Sequence, residues 1–202
     1  MSIVIMNYGI GNLRSVQKTF EKIGVSAQIS ADPEIIRQAD RLVLPGVGAF
    51  ADCMQKFDSA GLREPLVEHL HREKPLLGIC VGMQMLFTTG TENGIHPGLN
   101  ILAGTVERFP QQPGFKIPPM GWNQVQVRSS HPPWEGLPAP AWFYFVHSYH
   151  CIPEDTACIA LETEYVIPFC PAVQKNRLLA TQFHPEKSQA IGQWLLRRFL
   201  SL

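Results

Sequence analysis

Lys74-Pro75-Leu76-Leu77-Gly78-Ile79-Cys80-Val81-Gly82-Met83-Gln84 is the stretch on which the reading of this chain turns. Leu76–Ile79 is a short apolar run of strand type. A helix is expected from Val81 onward, and Cys80 stands at the join with a glycine two places before it and two after. A nucleophile raised on a sharp strand-to-helix turn needs small residues at both places, because strand and helix approach closely there and the backbone under the nucleophile is strained. The first amide groups of the helix then favour a thiolate over a thiol, and the Val81 N–H is left free to meet a developing oxyanion. Free cysteine is among the most buried residue types, so without its glycines Cys80 would be read as packing. Cys53, Cys151, Cys158 and Cys170 lack this setting and are read as structural.

Upstream of the turn, apolar runs and helical periods alternate. Ile3–Asn7 reads as a strand, and Gly11–Gly24 carries Leu13, Val16, Phe20 and Ile23 at helical spacing before a closing glycine. Val25–Ser30 reads as a second strand, and Asp32-Pro33-Glu34 opens a short helix with a capping side chain and a proline at its first position. Arg41–Pro45 reads as a third strand, and helical stretches near Phe50–Phe57 and Leu62–His71 lead into Leu76–Ile79. Strands and helices alternating at this spacing imply a parallel sheet covered on both faces. Downstream the pattern changes to strands at Ile101–Phe109, Gly121–Val127, Ala141–Val146 and Cys158–Thr163, joined by proline-rich turns. Another strand ends over Gln182–Pro185, and Gln189–Leu200 closes the chain as a helix. The expectation is one α/β domain over residues 1–202: three layers, a mostly parallel central sheet, a nucleophile elbow, and antiparallel strands added in the second half.

A thiolate that attacks a carboxamide needs a base to take and return the proton, and that base needs an orienting group. Gln182-Phe183-His184-Pro185-Glu186-Lys187-Ser188 offers both: His184 facing Cys80, and Glu186 holding the imidazole in the right tautomer. Pro185 stiffens the turn between them. The other histidines read as surface or packing residues. His69 and His71 point in different directions on a helix and cannot chelate together.

Composition narrows the rest. The 202 residues carry 17 Lys+Arg against 17 Asp+Glu, so the basic excess of a nucleic-acid-binding domain is missing. The five cysteines are odd in number and without CxxC spacing, which argues against a disulfide framework or a zinc site. No cofactor or metal is expected. The apolar run at Ile3–Met6 is too short for a signal segment or a membrane span, and the protein is expected to be cytoplasmic. Gly9-Ile10-Gly11 after the first strand, with Asp32 about twenty residues on, resembles a dinucleotide fingerprint. Arg14 stands where that motif needs its third glycine, and nucleotide binding is set aside.

Taken together, Gly78–Gln84 and Gln182–Ser188 resemble the nucleophile and His/Glu motifs of the class I (triad) glutamine amidotransferases. Asn7-Tyr8-Gly9-Ile10-Gly11-Asn12-Leu13, Leu44-Pro45-Gly46-Val47-Gly48-Ala49-Phe50, Pro118-Pro119-Met120-Gly121-Trp122-Asn123 and Tyr144-Phe145-Val146-His147-Ser148-Tyr149 extend the likeness over nearly the whole chain. They narrow it to glutaminase subunits that work with a separate cyclase. The resemblance implies a thioester formed on Cys80, with His184 as acid and base and Glu186 as orienter. It implies oxyanion N–H groups from Val81 and the Val47–Gly48 region, and glutamine held by Gln84, Ser148 and Tyr149. It places Asn12, Trp122, Tyr144 and Lys187 at an interface with a cyclase subunit of (β/α)₈-barrel form, through which ammonia would pass. Lys187 is expected to form an ion pair with that partner. Glycines on both sides of Val47 suggest that the Val47–Gly48 peptide has two orientations, only one of which aims its N–H at the oxyanion. Two positions depart from the pattern: Pro119 stands where the family usually has His, and Val81 where Leu is commoner. Pro119 removes a backbone donor and stiffens the approach to Trp122, whereas at position 81 only the backbone N–H has an assigned role.

Overall fold

As a computed structural model, the structure describes residues 1–128 and 132–202. In chain order it runs β1 (Ile3–Met6), α1 (Leu13–Lys22), β2 (Gln28–Ser30), α2 (Pro33–Gln38), β3 (Arg41–Gly46), α3 (Phe50–Ser59), α4 (Arg63–His71), β4 (Leu76–Cys80) and α5 (Val81–Gln84). Then follow β5 (Phe87–Gly90), β6 (His96–Pro97), β7 (Leu102–Arg108), β8 (Met120–Val127), β9 (Ala141–Val146), β10 (Tyr149–Pro153), β11 (Ile159–Tyr165), β12 (Ile167–Lys175), β13 (Leu178–Thr181) and α6 (Gln189–Leu200).

Strands β2-β1-β3-β4-β13 lie side by side and all pair parallel. Residues of β1, β4 and β13 are buried on both faces, as the continuous apolar runs Ile3–Met6, Leu76–Cys80 and Leu178–Thr181 require of a covered parallel sheet. The order β2-β1-β3-β4 reverses direction once. With right-handed crossovers this puts α1 on one face and α2, α3 and α4 on the other. The packing agrees: α1 lies against α6, and α2 against α4. The expected ends hold in detail. Asp32 accepts the Glu34 N–H at 2.8 Å at the start of α2. Gly24, at φ +83°, closes α1 while the Val25 N–H returns to the Phe20 carbonyl at 3.0 Å.

Beyond β13 the sheet continues through β12, β10, β7, β5 and β6, and β11 leads off β12 to the β8–β9 pair. The additions are therefore larger than expected, and antiparallel except for the β5–β7 pair. Strands β5, β6 and β12 were not foreseen. The strand expected to end over Gln182–Pro185 stops at Thr181, and the following residues leave the ladder to build a turn. Val25–Ala27 falls outside β2. The helix after Cys80 is a single turn: Met85 follows it, and Phe87 is already in β5. Of the histidines read as surface or packing residues, His69, His147 and His150 are buried, and His131 lies outside the described residues. Among the described residues, no helix is long and apolar enough to cross a membrane, and no group of three His, Cys, Asp or Glu side chains could hold a metal ion.

His69 makes part of this packing depend on pH. It is 1 % exposed on α4, and its Nε2–H donates to the Pro75 carbonyl at 2.9 Å, tying the helix to the start of β4. Burial holds its pKa down to about 4, against the opposing effect of that hydrogen bond. The folded state therefore takes up a proton less readily than the unfolded chain, whose imidazole titrates near 6.5. Stability from this group is complete above about pH 6.5 and is lost as pH falls toward about 4. Urea melts at neutral pH and at about pH 4.5 should show that drop, and His69→Gln, which keeps a donor but does not titrate, should make it smaller.

Candidate active site

The backbone of Cys80 is set by what surrounds it. Cys80 ends β4 between β3 and β13, with φ +56° and ψ −112°, a left-handed conformation rarely adopted by residues with a Cβ. Directly after it α5 lies on β3. A Cβ on Gly82 would fall 1.9 Å from the Leu44 carbonyl oxygen, and one on Gly46 2.6 Å from the Gly82 nitrogen. The glycine two residues after the nucleophile is thus demanded by contact with the neighbouring strand. Gly78 is tight too, 3.0 Å from the Ala180 Cβ, on the side where β13 pairs with β4. Because α5 has only four residues, its dipole is small, and stabilisation of the thiolate falls mainly to neighbouring side chains.

Those neighbours arrive on the next parallel strand. After β13 the chain turns at His184-Pro185-Glu186-Lys187, and His184 Nδ1 donates to Glu186 Oε1 at 2.8 Å, both side chains being 2 % exposed. Ser188 fixes the turn: its hydroxyl donates to the His184 carbonyl at 2.6 Å and accepts the Tyr144 N–H at 3.0 Å, while the His184 N–H donates to the Tyr144 carbonyl at 3.0 Å. His184 and Cys80 line the same cavity and interact electrostatically. Burial alone would push the imidazole pKa down. The interactions with Cys80 and Glu186 outweigh it and push the pKa up to about 10, so the imidazole holds its proton firmly.

A cavity of about 350 Å³ opens over this pair. Cys80, Val81, His184, Val47, Gly48, Gln84, Ser148, Tyr149 and Lys187 are among the residues that line it. Its volume is at the low end for a small-molecule pocket. Gly48 has φ +93° with nothing within 4 Å of an added Cβ, so only its backbone conformation demands glycine. The Val47 carbonyl is held by the Cys53 thiol at 3.4 Å. Trp122, Tyr144 and Lys187 also come together: the two rings meet edge to face at 6.3 Å, and the Lys187 ammonium lies 5.7 Å from the centre of the Tyr144 ring. Lys187 has no carboxylate partner among the described residues. Asn12 caps the start of α1 without a side-chain bond, and its helix packs beside the Pro185–Lys187 turn.

Three residues of this region carried no assigned role in the sequence reading. Glu92 lines the cavity, and its Oε2 accepts the Phe50 N–H at the start of α3 at 2.8 Å. His147, also at the cavity, is buried among Phe109, Phe145 and Phe169. Burial holds its pKa down to about 3, and its Nδ1–H donates to the Tyr149 carbonyl at 2.7 Å. Gln182, fully buried, places its amide nitrogen 3.7 Å from Cys80 Sγ. Glu92 sits in no motif; Gln182 stands in the quoted His/Glu segment, but nothing in the residue type announces chemistry. A larger hollow of about 650 Å³ lies between β8, β10, β11 and β12, lined in part by Cys151, Cys170 and His150. Burial raises the pKa of both thiols, and no base is paired with either, so the chemistry belongs to the smaller cavity.

The family Glutamine amidotransferase class-I matches residues 4–201. The imidazole glycerol phosphate synthase subunit HisH of Syntrophotalea carbinolica is 50 % identical over 202 residues, covering 98 % of this chain and 98 % of that protein. The subunit of the same name from Geobacter sulfurreducens is 47 % identical, covering 98 % and 97 %. Among solved structures, PurLQS from Thermotoga maritima superposes with a TM-score of 0.75 at 16 % identity, over 99 % of this chain and 97 % of that one. A glutamine amidotransferase superposes with a TM-score of 0.72 at 20 % identity, over 98 % and 97 %. These last two likenesses show the fold.

The contact between α5 and β3 can be tested directly. Gly82→Ala forces a methyl group into the Leu44 carbonyl and should destabilise the protein by about 3 kcal/mol, measured by thermal or urea unfolding.

Proposed function

The chain belongs to the class-I glutamine amidotransferase family, and from that premise we propose that it is the glutaminase subunit of imidazole glycerol phosphate synthase, acting as one domain over its whole length. The observation that carries the reading is the strained Cys80 beside a buried, hydrogen-bonded His184–Glu186 pair, with Cys80 and His184 lining one small cavity. Two subunits of that name match it at 47 % and 50 % identity from end to end.

The Cys80 thiolate attacks the side-chain carboxamide carbon of L-glutamine. The oxyanion that forms is met by the Val81 N–H and by the N–H of the Val47–Gly48 peptide when that peptide is turned toward it. His184 gives its proton to the departing ammonia, leaving a glutamyl thioester on Cys80. It then takes a proton from the water that attacks the thioester, which releases L-glutamate and restores the thiolate. Glu186 keeps His184 Nδ1 protonated and Nε2 aimed at the reacting atoms. Gln84, Ser148 and Tyr149 line the wall along which the rest of the substrate lies. Glu92 supplies the negative charge at the cavity that an α-ammonium group needs.

The face carrying Trp122, Tyr144 and Lys187, with Asn12 on the neighbouring helix, receives a cyclase subunit of (β/α)₈-barrel form. Ammonia passes into that barrel, where it is used to make imidazole glycerol phosphate and an aminoimidazole carboxamide ribonucleotide in cytoplasmic L-histidine biosynthesis. The exposed ammonium of Lys187, without a carboxylate partner among the described residues, is available to a carboxylate of the cyclase. A peptide at Val47–Gly48 that turns only when the cyclase holds its ligand would keep glutamine from being wasted. One missing oxyanion donor costs about a hundredfold to a thousandfold in rate, and the shift requires the cyclase to bind the two orientations unequally.

The test is the glutaminase rate of the isolated chain, of the complex with the cyclase, and of the ligand-loaded complex, which should rise in that order. Cys80→Ser should lower glutamine turnover by about a thousandfold or more while leaving synthesis from added ammonia intact. Retained glutamine turnover in that variant would overturn the assignment. Glu92→Gln keeps an oxygen for the Phe50 N–H but removes the charge, and should raise KM for glutamine about tenfold with kcat little changed, as read from initial rates at varied glutamine.

A further inference from the structure

Cys80 Sγ is met from the side by an amide whose orientation the fold determines. Gln182 is fully buried at the end of β13, and its Nε2 lies 3.7 Å from the sulfur, within hydrogen-bond reach for an atom of that radius. A glutamine side chain can be turned over, so which end faces the thiol has to be settled by its partners. They form an unbroken series. The Tyr149 carbonyl can only accept, and it receives the Nδ1–H of His147 at 2.7 Å and the Nε2–H of Gln84 at 3.2 Å. The NH₂ end of Gln84 is therefore directed at Tyr149, and its second hydrogen goes to Gln182 Oε1 at 3.0 Å. With its oxygen so engaged, Gln182 presents its NH₂ to Cys80. Turning Gln182 over would set two NH₂ groups against each other in a buried site, and turning Gln84 over would set two acceptors against each other at Tyr149.

We propose that Gln182 is a fourth residue of the catalytic centre, whose amide N–H donates to the Cys80 sulfur and favours its thiolate, with Gln84 and His147 as the positioning residues that keep the donor end pointed there. The proposal rests on Cys80 being the nucleophile and adds a second source of thiolate stabilisation beside His184. The one-turn α5 makes such a source necessary, since it contributes little dipole. It also recasts Gln84. Both amide hydrogens of that residue are committed within the protein, so toward a ligand it can only accept.

The titratable groups around the sulfur are His184 and Glu186 on the turn after β13, Tyr8 after β1, Cys53 on α3, Cys151 on β10, and Glu92, His147, Tyr149 and Lys187 at the cavity. Gln182 does not titrate, so changing it leaves every one of these in place. The experiment is the rate of Cys80 alkylation by iodoacetamide from about pH 5 to about pH 9, read on the Cys80 peptide by mass spectrometry in the full-length chain alone, with Cys80→Ser marking the background. In Gln182→Leu the midpoint should move up by about one pH unit, so that alkylation at neutral pH slows about tenfold. Gln182→Glu, nearly the same shape but carrying a carboxylate in place of the donor, should move it further. Gln84→Leu, which frees the Gln182 amide to turn, should move it part of the way.

A midpoint unchanged in a folded Gln182→Leu protein overturns the proposal and leaves Gln182 as a packing residue. If that variant does not fold, the Gln182→Glu curve decides in the same way. No glutamine or cyclase is added, so an unmoved midpoint refutes the role of Gln182 without touching the glutaminase reading. Loss of glutamine turnover in the unaltered protein would refute the glutaminase reading without touching this result.

Discussion

The rest of the site depends on the missing Cβ at Gly82. With the Leu44 carbonyl oxygen 1.9 Å from where that atom would stand, α5 can settle on β3 only because the position is glycine. That contact fixes how abruptly the chain must leave β4, and the abruptness is what forces Cys80 to φ +56°. A strained backbone of this kind costs about 1–3 kcal/mol and persists only where its surroundings over-determine it. Here they do. β4 is clamped in parallel register between β3 and β13, with Gly46 beside Cys80 on one side and Thr181 beside Ile79 on the other. The strain lifts the sulfur off the sheet edge toward the cavity, at the carboxyl ends of the strands where open parallel sheets bring their functional loops together.

The same register delivers His184. Because β13 runs parallel to β4, the residues that follow Thr181 emerge at the same end of the sheet as those that follow Ile79. His184 therefore needs no long loop to reach Cys80, only a turn stiff enough to stop it elsewhere. Pro185 and the buried Ser188 hydroxyl supply that stiffness. Two histidines at one cavity then acquire opposite characters from their surroundings. His147, among three phenylalanines and bonded to a neutral carbonyl, is held neutral. His184, between a carboxylate and a thiol, is held charged. Burial is common to both, and the partner decides the outcome.

What could be read in the sequence follows from which constraints are local. The Gly-x-Cys-x-Gly spacing, the capped α2, the glycine after α1 and the alternation up to β4 each satisfy a rule over a few residues, and each is present in the structure. Strand β12 was missed for a physical reason: Pro168 and Pro171 remove ladder donors, which ordinarily demotes a run to an edge or a turn. The sheet tolerates them here because β12 is a junction, paired to β10, β11 and β13 over different parts of its length. The helix after Cys80 is present, but its length was not legible because Met83, Met85, Leu86 and Phe87 are all apolar. Such a run cannot distinguish a continuing helix from a turn into a buried strand. Glu92 and Gln182 reach the site only through tertiary contacts, so no local pattern could have identified them. Of the residues singled out beforehand, Cys80, Val81, Gln84, Ser148, Tyr149, His184, Val47, Gly48 and Lys187 all line one cavity.

The outer face of the β8–β9 pair is more closely tied to the chemistry than its exposure suggests. Met120, Trp122 and Trp142 are exposed large apolar side chains on these two strands, and Trp122 pairs directly with Tyr144 across them. Tyr144 has two sides. Its ring lies under Lys187 and against Trp122, while its backbone carbonyl and N–H are bound to the His184 N–H and the Ser188 hydroxyl. A protein seated on this face would press on the strand whose peptide groups hold the catalytic turn, with no intervening layer of side chains. Pro118, next to Pro119, lines the same cavity as Cys80 and leads straight into β8. The proline pair therefore joins that face to the cavity through a short, stiff stretch of backbone. Tyr144 thus belongs both to that exposed face and to the bracing of the turn that carries His184, with no long pathway between them.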